Sequence, residues 1–412
     1  MGKDVGVIVG LDIGTTKICA IVAENDTEGH LRVIGIGSAP SKGLRKGVVV
    51  DIESTVESVR KAVETAEEMT NIEIESVFSG IAGGHIKGFN SRGTIPIAGD
   101  AGEVTEEDIK RVIDSAKAVS IPMDRELIHV IPQAFIVDGH DGVRDPRGMS
   151  GVRLESEVHV ITGAIASAQN IIKSINRAGI EVEDIVLQPL ASSLAVLTED
   201  EKKNGVVLID IGGGTTDVVV YVDGAIRYTN VLAVGGDHIS NDIAIALKIP
   251  VGKAEEIKKK YGHAHTQMVL PNEKFVVPGI VGRGANEMHK KYLAEIIQLR
   301  MEELFSVIKQ EIKKTEYNEY IGSGVVITGG SALVRGTQDV AKKIFNVPVR
   351  IGKPHNVAGL MEIMDSPIYS TGVGLALYGA QYRRENDMGK FRGRNIFGKI
   401  TERMRDWVTE YF

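Results

Sequence analysis

The sequence predicts an α/β chain assembled from a duplicated half, and three observations carry that expectation. Apolar runs alternate with helical patterns along most of the length. One strand–turn–strand passage occurs twice, close to half a chain apart. A segment without counterpart in the second half interrupts the first.

The alternation comes first. Residues 5–11, 18–24, 206–211, 218–222 and 324–328 are short, β-branched and apolar, the composition of buried strands, whereas 54–69, 105–118 and 286–314 repeat their apolar positions at helical spacing. Thr105, with Glu107 and Asp108 behind it, has the composition of a helix N-cap. Strands alternating with helices imply an α/β architecture. The duplication is read from Gly6–Thr16 (GVIVGLDIGTT) and Gly205–Thr216 (GVVLIDIGGGTT), whose Asp12 and Asp210 lie 198 residues apart. Residues 84–163, with a helix, a polar loop at 138–153 and short strands, break the duplication and are expected to be an inserted α+β subdomain. The division that follows assigns 1–83 and 164–194 to a first lobe, and 195–245 and 285–381 to a second. Residues 246–284 form a small subdomain, 382–395 a linker, and 396–412 a terminal amphipathic helix.

Composition narrows the classes. At 412 residues and 44.4 kDa the chain is too long for one core, and about 150 residues per unit gives roughly two to four. With 43% hydrophobic and 25% charged residues it is an ordinary globular composition, neither fibrous nor disordered. The single cysteine, Cys19, forbids an intrachain disulfide and suits a reducing compartment. No uncharged apolar run reaches the roughly 18 residues of a membrane span, and the start lacks a cleavage pattern, so a cytoplasmic location is expected. The net charge of −7 is uneven: residues 390–412 carry +3 and the remainder −10. An acidic body argues against nucleic acid as a partner and draws attention to the basic tip.

Neither GxxxxGK[ST] nor a helix-opening GxGxxG is present, which excludes P-loop and dinucleotide-fold nucleotide sites. The repeated turns offer another way to hold phosphate. In Asp12–Lys17 the small residues Gly14, Thr15 and Thr16 let backbone N–H groups converge on anionic oxygens, with Lys17 beside them. Gly213 and Gly214 can act from the opposite side, with the Thr215 and Thr216 hydroxyls added. Asp12 and Asp210, at the ends of their strands, suit Mg²⁺, which keeps several waters and needs only one or two carboxylates. Gly329 and Gly330 would admit a planar base, Gly236 a phosphate and Asp237 a ribose. Glu255 and Lys258 share a helix face, an arrangement that is also ordinary on solvated helices.

Residues 396–412 give a second chemistry. At about 100° per residue, Ile396, Phe397, Ile400, Met404, Trp407, Val408 and Tyr411 fall within an arc of about 120°, with charged residues opposite. The segment is about 25 Å long as a helix and its charged face prevents spanning. An apolar arc with flanking Lys and Arg suits a helix lying in an anionic headgroup layer.

These residues carry a family likeness. Asp12–Lys17, Asp210–Asp217, Ile327–Gly336, Gln188–Ser193 and Tyr369–Gly379 resemble the two phosphate motifs, the adenosine motif and the two connecting motifs of the actin, heat-shock-chaperone and sugar-kinase superfamily. Ser41–Gly47, His129–Gln133, Gly148–Arg153 and Leu197–Glu201 narrow the likeness to the bacterial cell-division FtsA family, along nearly the whole chain. The resemblance implies a duplicated actin-like (ribonuclease H-like) two-lobed ATPase fold that binds ATP and Mg²⁺, with at most slow hydrolysis. It implies polymerisation under the cytoplasmic membrane at the division site, tethering of the tubulin-like protein FtsZ through its C-terminal peptide, and recruitment of later division proteins. Gln188 would position the attacking water. An acidic peptide needs a basic groove, for which Arg283, Lys290, Lys291 and Arg300, with His289, are candidates. Two other readings remain open at this point, a small-molecule kinase of the superfamily and a PilM-like pilus-assembly adaptor.

Overall fold

A computed structural model describes residues 6–25, 30–98, 102–277, 279, 284–355 and 357–387. The expected terminal helix, the end of the expected linker and Arg283 lie outside the described residues.

The duplication is visible in strand order. In the first sheet, Leu31–Pro40, Lys17–Asn25 and Ile8–Ile13 form an antiparallel meander. Ser76–Ile81 and Glu181–Leu187 then continue it in parallel. In the second sheet, Ala225–Leu232, Thr216–Val222 and Val206–Ile211 form the same meander. Val325–Thr328 and Val349–Ile351 continue it in parallel. The first sheet has one further short edge, Ala358–Gly359. Val206–Ile211 and Thr216–Val222 are buried at every position, as strands covered on both faces must be, so they are apolar nearly throughout rather than alternating.

One core of the first lobe packs helices Ile52–Thr70 and Ile165–Arg177 on its sheet. A core of the second lobe packs Gly236–Leu247, Val251–Tyr261 and Lys290–Lys313 on the other. A third core joins them: Ile21 and Phe78 of the first sheet share it with Leu208, Tyr221 and Val326 of the second, and with the helix Ser370–Asp387. The lobes therefore close around a shared apolar hinge, and their paired turns open on the same side.

The interrupting segment has its own core. Lys87–Pro96, Arg153–Ala164, Arg125–Val137 and His140–Val143 form a four-stranded sheet covered by the helix Glu106–Lys117. That helix starts where the sequence says. Thr105 Oγ1 accepts from Asp108 N at 3.2 Å, and Asp108 Oδ2 accepts from Thr105 N at 3.0 Å, a reciprocal cap.

Three local expectations change. The helix expected at 286–314 begins only at Lys290, because Asn286–His289 pairs with Lys274–Val277 as a ribbon. The polar loop at 138–153 contains the strand His140–Val143. The last helix runs to Asp387 through the first six positions of the expected linker. Tyr382 packs against Phe78, and Arg383 bonds Glu183 and the Val7 carbonyl, so burial and ion pairing hold a stretch that looks polar. Gln188 opens the helix Gln188–Val196, and Pro189 sits in the first turn, where its missing N–H costs nothing.

Candidate functional site: a cleft between paired turns

The two turns are built alike. Ile13 pairs with Ile18, and Gly14 N donates to Lys17 O at 3.0 Å. Ile211 pairs with Thr216, and Gly212 N donates to Thr215 O at 3.0 Å. Each is a four-residue turn, so Thr15, Thr16 and Lys17 correspond in space to Gly213, Gly214 and Thr215. The Thr-Thr pairs that look equivalent in sequence are offset by two positions. The turns face each other across a narrow gap. A Cβ on Gly213 would overlap Thr16 Oγ1, and one on Gly214 would lie 2.6 Å from Thr15 Oγ1.

Both turns line one cavity of about 690 Å³. From the first lobe it is lined by Asp12, Gly14, Thr15, Thr16, Lys17 and Gln188, and from the second by Asp210, Gly213, Gly214 and Thr215. Its far end reaches Gly236, Asp237, Glu255, Lys258, Gly329 and Gly330. Thr216 is the one residue of the expected nucleotide site that the cavity does not reach. It is fully buried, and its hydroxyl donates to Val234 O at 2.7 Å.

The floor is acidic. Burial pushes the Asp12 carboxyl up to about 6; the Lys17 ammonium lowers it and the Asp210 charge raises it. Burial also raises Asp210, which accepts from Ser192 Oγ at 2.6 Å and Thr371 Oγ1 at 3.2 Å. Asp217 faces Asp210 in the strand register, and burial followed by the Asp210 and Asp12 charges lifts its carboxyl well above the usual range. Its Oδ1 is buried with no hydrogen-bond partner among the described residues. Three buried carboxyls, with Asp210 raising the other two and one of them carrying an orphaned oxygen, are a site lacking positive charge. Among the described residues no group of three His, Cys, Asp or Glu side chains is placed to ligate a metal directly. The donor set therefore fits Mg²⁺ held through its own waters.

Around the floor, Lys17 Nζ donates to Ile368 O at 3.2 Å and lies 4.4 Å over the Tyr369 ring. Gln188 Nε2 donates to Asp12 Oδ1 at 3.3 Å and to Ile13 O at 3.4 Å. At the far end the helix Gly236–Leu247 uses its first N–H groups on the second turn: Gly236 N to Gly212 O and Asp237 N to Gly213 O, each 2.9 Å. Gly236 and Asp237 thus fix one carbonyl of the turn each. The Glu255–Lys258 pair points inward, with Lys258 Nζ 2.6 Å from Glu255 Oε2 and 2.9 Å from Gly236 O.

Sequence reasoning missed Asp217, Ser192 and Thr371 as floor residues. Asp217 had a usable signal, an acid inside an otherwise apolar buried strand. Arg335, which lines the outer cavity, lay unremarked within the Ile327–Gly336 motif. The expected basic groove is largely neutralised. Lys290 pairs with Glu273 at 2.7 Å, while Arg300 bonds Asp242 at 2.6 and 2.9 Å and also pairs with Glu303. Lys291 is exposed.

The family described as "Cell division protein FtsA" matches residues 207–374, and "SHS2 domain inserted in FTSA" matches residues 83–162. The chain is 45% identical over 410 residues to the cell division protein FtsA of Pseudomonas aeruginosa, covering 98% of each. It is 38% identical over 414 residues to that of Escherichia coli, again covering 98% of each. Among solved structures it is similar to the PilM–PilN type IV pilus biogenesis complex (TM-score 0.66, 15% identity, 90% of this chain and 98% of that one). It is also similar to MreB5 of Spiroplasma citri bound to ADP (TM-score 0.57, 16% identity, 93% and 98%). At those identities the structures speak for the fold alone, which is the actin-like one. The strand order, the inserted domain and the two full-length relatives together place the chain in the FtsA family of cell-division proteins, within the actin-like ATPase superfamily.

Proposed function

We propose that this protein binds Mg·ATP between its lobes, polymerises on the cytoplasmic face of the membrane at the division site, tethers FtsZ through its C-terminal peptide and recruits later division proteins. The observation that carries the reading is the single cavity shared by two opposed, identically closed turns over a floor of buried carboxyls. The phosphates would lie between Gly14–Thr16 and Gly213–Thr215, the ion would be held through water by Asp12 and Asp210 with Asp217 behind, and the nucleoside would extend toward Gly236, Asp237, Glu255, Lys258, Gly329 and Gly330. When bound, Mg²⁺ supplies positive charge to the phosphate oxygens and to these acids. Gln188, held on Asp12, is the residue to orient a water at the phosphate end.

The apolar arc of 396–412 supports attachment to an anionic surface. A weak single anchor gains strength when a polymer links many copies, because later contacts become intramolecular. For the FtsZ peptide, the exposed Lys291 beside Lys290 is the better receptor, since Arg300 already satisfies Asp242 and Glu303.

Co-sedimentation with anionic liposomes in Mg·ATP tests the proposal. The full chain should pellet and form filaments visible by electron microscopy on an anionic lipid monolayer. Removing 396–412, or Trp407→Glu, should leave the protein in the supernatant with nucleotide binding intact. Unchanged pelleting of both variants would refute the anchor, and the absence of filaments would refute the polymer.

A further inference from the structure

We propose that His129 of the inserted domain is a positioning residue for the nucleotide cleft, acting by accepting the Leu187 N–H and so fixing the peptide that launches Gln188. The inference rests on the reading that Gln188 serves that cleft.

Leu187 ends an edge strand. One side of it pairs with Ile81, and its own N–H needs a partner on the other. His129, on the strand Arg125–Val137, provides one: Nε2 lies 2.9 Å from Leu187 N, with the histidine only 1% exposed. Burial holds the imidazole down at about 3, so the ring stays neutral and Nε2 keeps its lone pair. The ring itself is braced by the edge of Tyr378, with centroids 6.5 Å apart, and the Tyr378 hydroxyl is fixed by Asp184 Oδ2 at 2.9 Å.

The next residue is where this matters. Leu187 precedes the helix Gln188–Val196 and has no side-chain cap bond of its own, so the histidine supplies the fixed point at that junction. One residue on, Gln188 reaches Asp12 and Ile13 with two long bonds, 3.3 and 3.4 Å. Its stem is confined by Gly80, where a Cβ would stand 2.8 Å from Gln188 Cγ. Weak bonds at the amide and a strong buried one at the preceding peptide mean that the backbone, more than the amide, sets where Gln188 points. A displacement of about 1 Å at such a group can cost on the order of 100-fold in rate. Through this bond, whatever moves the inserted strand moves Gln188.

Side chains of known reach provide the test. A Gln amide oxygen can stand near the Nε2 position and an Asn oxygen cannot. In the nucleotide-free protein, the Gln188 side-chain amide resonances are assigned by their loss in Gln188→Ala. They should shift in His129→Ala and His129→Asn and return in His129→Gln. With Mg·ATP, His129→Ala should lose about tenfold in kcat while its nucleotide Kd stays within about twofold, and His129→Gln should recover most of the rate. Unmoved Gln188 resonances in His129→Ala would overturn the proposal, as would equal effects of Asn and Gln. If His129→Ala fails to fold, the Asn–Gln comparison decides alone. Calorimetry of the unmodified protein with Mg·ATP separates the two ideas, since failure to bind would sink the cleft reading and leave the Gln188 resonance test standing.

Discussion

The turn after Asp12 and the turn after Asp210 share a backbone and differ in charge. Both are four residues long and closed by a 3.0 Å bond from a Gly N–H to the fourth residue's carbonyl. In the first, the fourth residue is Lys17, and the residue opposite Asp12 in the register is Cys19. In the second, the corresponding residues are Thr215 and Asp217. Side chains differ in the middle as well: Thr15 and Thr16 in one lobe press against Gly213 and Gly214 in the other. One copy has kept bulk and a cation, and its partner has become bare and acidic. Duplicated turns that closed on each other with identical side chains would collide. Asymmetry lets two copies of one motif line a single cavity.

The comparison breaks most sharply at the two acids. Asp210 is held by two buried hydroxyls, Ser192 and Thr371, while Asp12 is met by the long Gln188 bond. Asp210→Ala removes a carboxylate and strands those hydroxyls, so Mg·ATP affinity should fall by about 100-fold, or about 2.7 kcal/mol, against about tenfold for Asp12→Ala. Isothermal titration measures both, and equal losses would mean that the lobes contribute alike.

Gly213→Ala sharpens the steric half of the contrast. Its Cβ overlaps Thr16 Oγ1, so overpacking should cost about 1–3 kcal/mol of stability in denaturant titrations. Thr16→Ala should absorb most of that cost, and a double-mutant cycle showing additivity would mean that the turns do not touch.

The electrostatic half is read with pH. Asp12 is raised from 3.8 to about 6, so the folded chain holds this proton more tightly than the unfolded one. The stability it contributes is complete below 3.8 and is lost as pH rises through about 6. Measured against Asp12→Asn, the nucleotide-free protein should therefore gain stability as pH drops from about 6 to about 4, by at most about 1.4 kcal/mol per pH unit. Mg·ATP affinity should move the other way, because the protonated carboxyl no longer attracts the ion. A stability difference independent of pH would show that Asp12 is not buried among like charges. The smallest effect is expected at the cation: Lys17→Met should weaken nucleotide binding about fivefold, roughly 1 kcal/mol, because Lys17 is partly engaged with Ile368 and Tyr369.

What the sequence made legible follows from the range of each interaction. The duplicated strands and turns are local patterns, and the pattern alone assigns the residues within those turns to opposite sides of one cleft. Thr216 and Asp217 show where that stops. Whether a residue at a strand start faces ligand or core depends on turn length and register, and the apparent Thr-Thr equivalence hid a shift of two residues. Ser192 and Thr371 lie 18 and 161 residues from Asp210, on opposite sides of it along the chain, and meet it only when the helices Gln188–Val196 and Ser370–Asp387 pack together. The helical stretch up to Asp387 was obscured for a similar reason, since Arg383 there is held by partners far away in sequence.

A crystal structure with Mg²⁺ and a non-hydrolysable ATP analogue tests the central claim most directly. One nucleotide per chain is expected, its β- and γ-phosphates between Gly14–Thr16 and Gly213–Thr215 and the ion facing Asp12 and Asp210 through water. A nucleotide seated elsewhere, or phosphates touching only one turn, would contradict it.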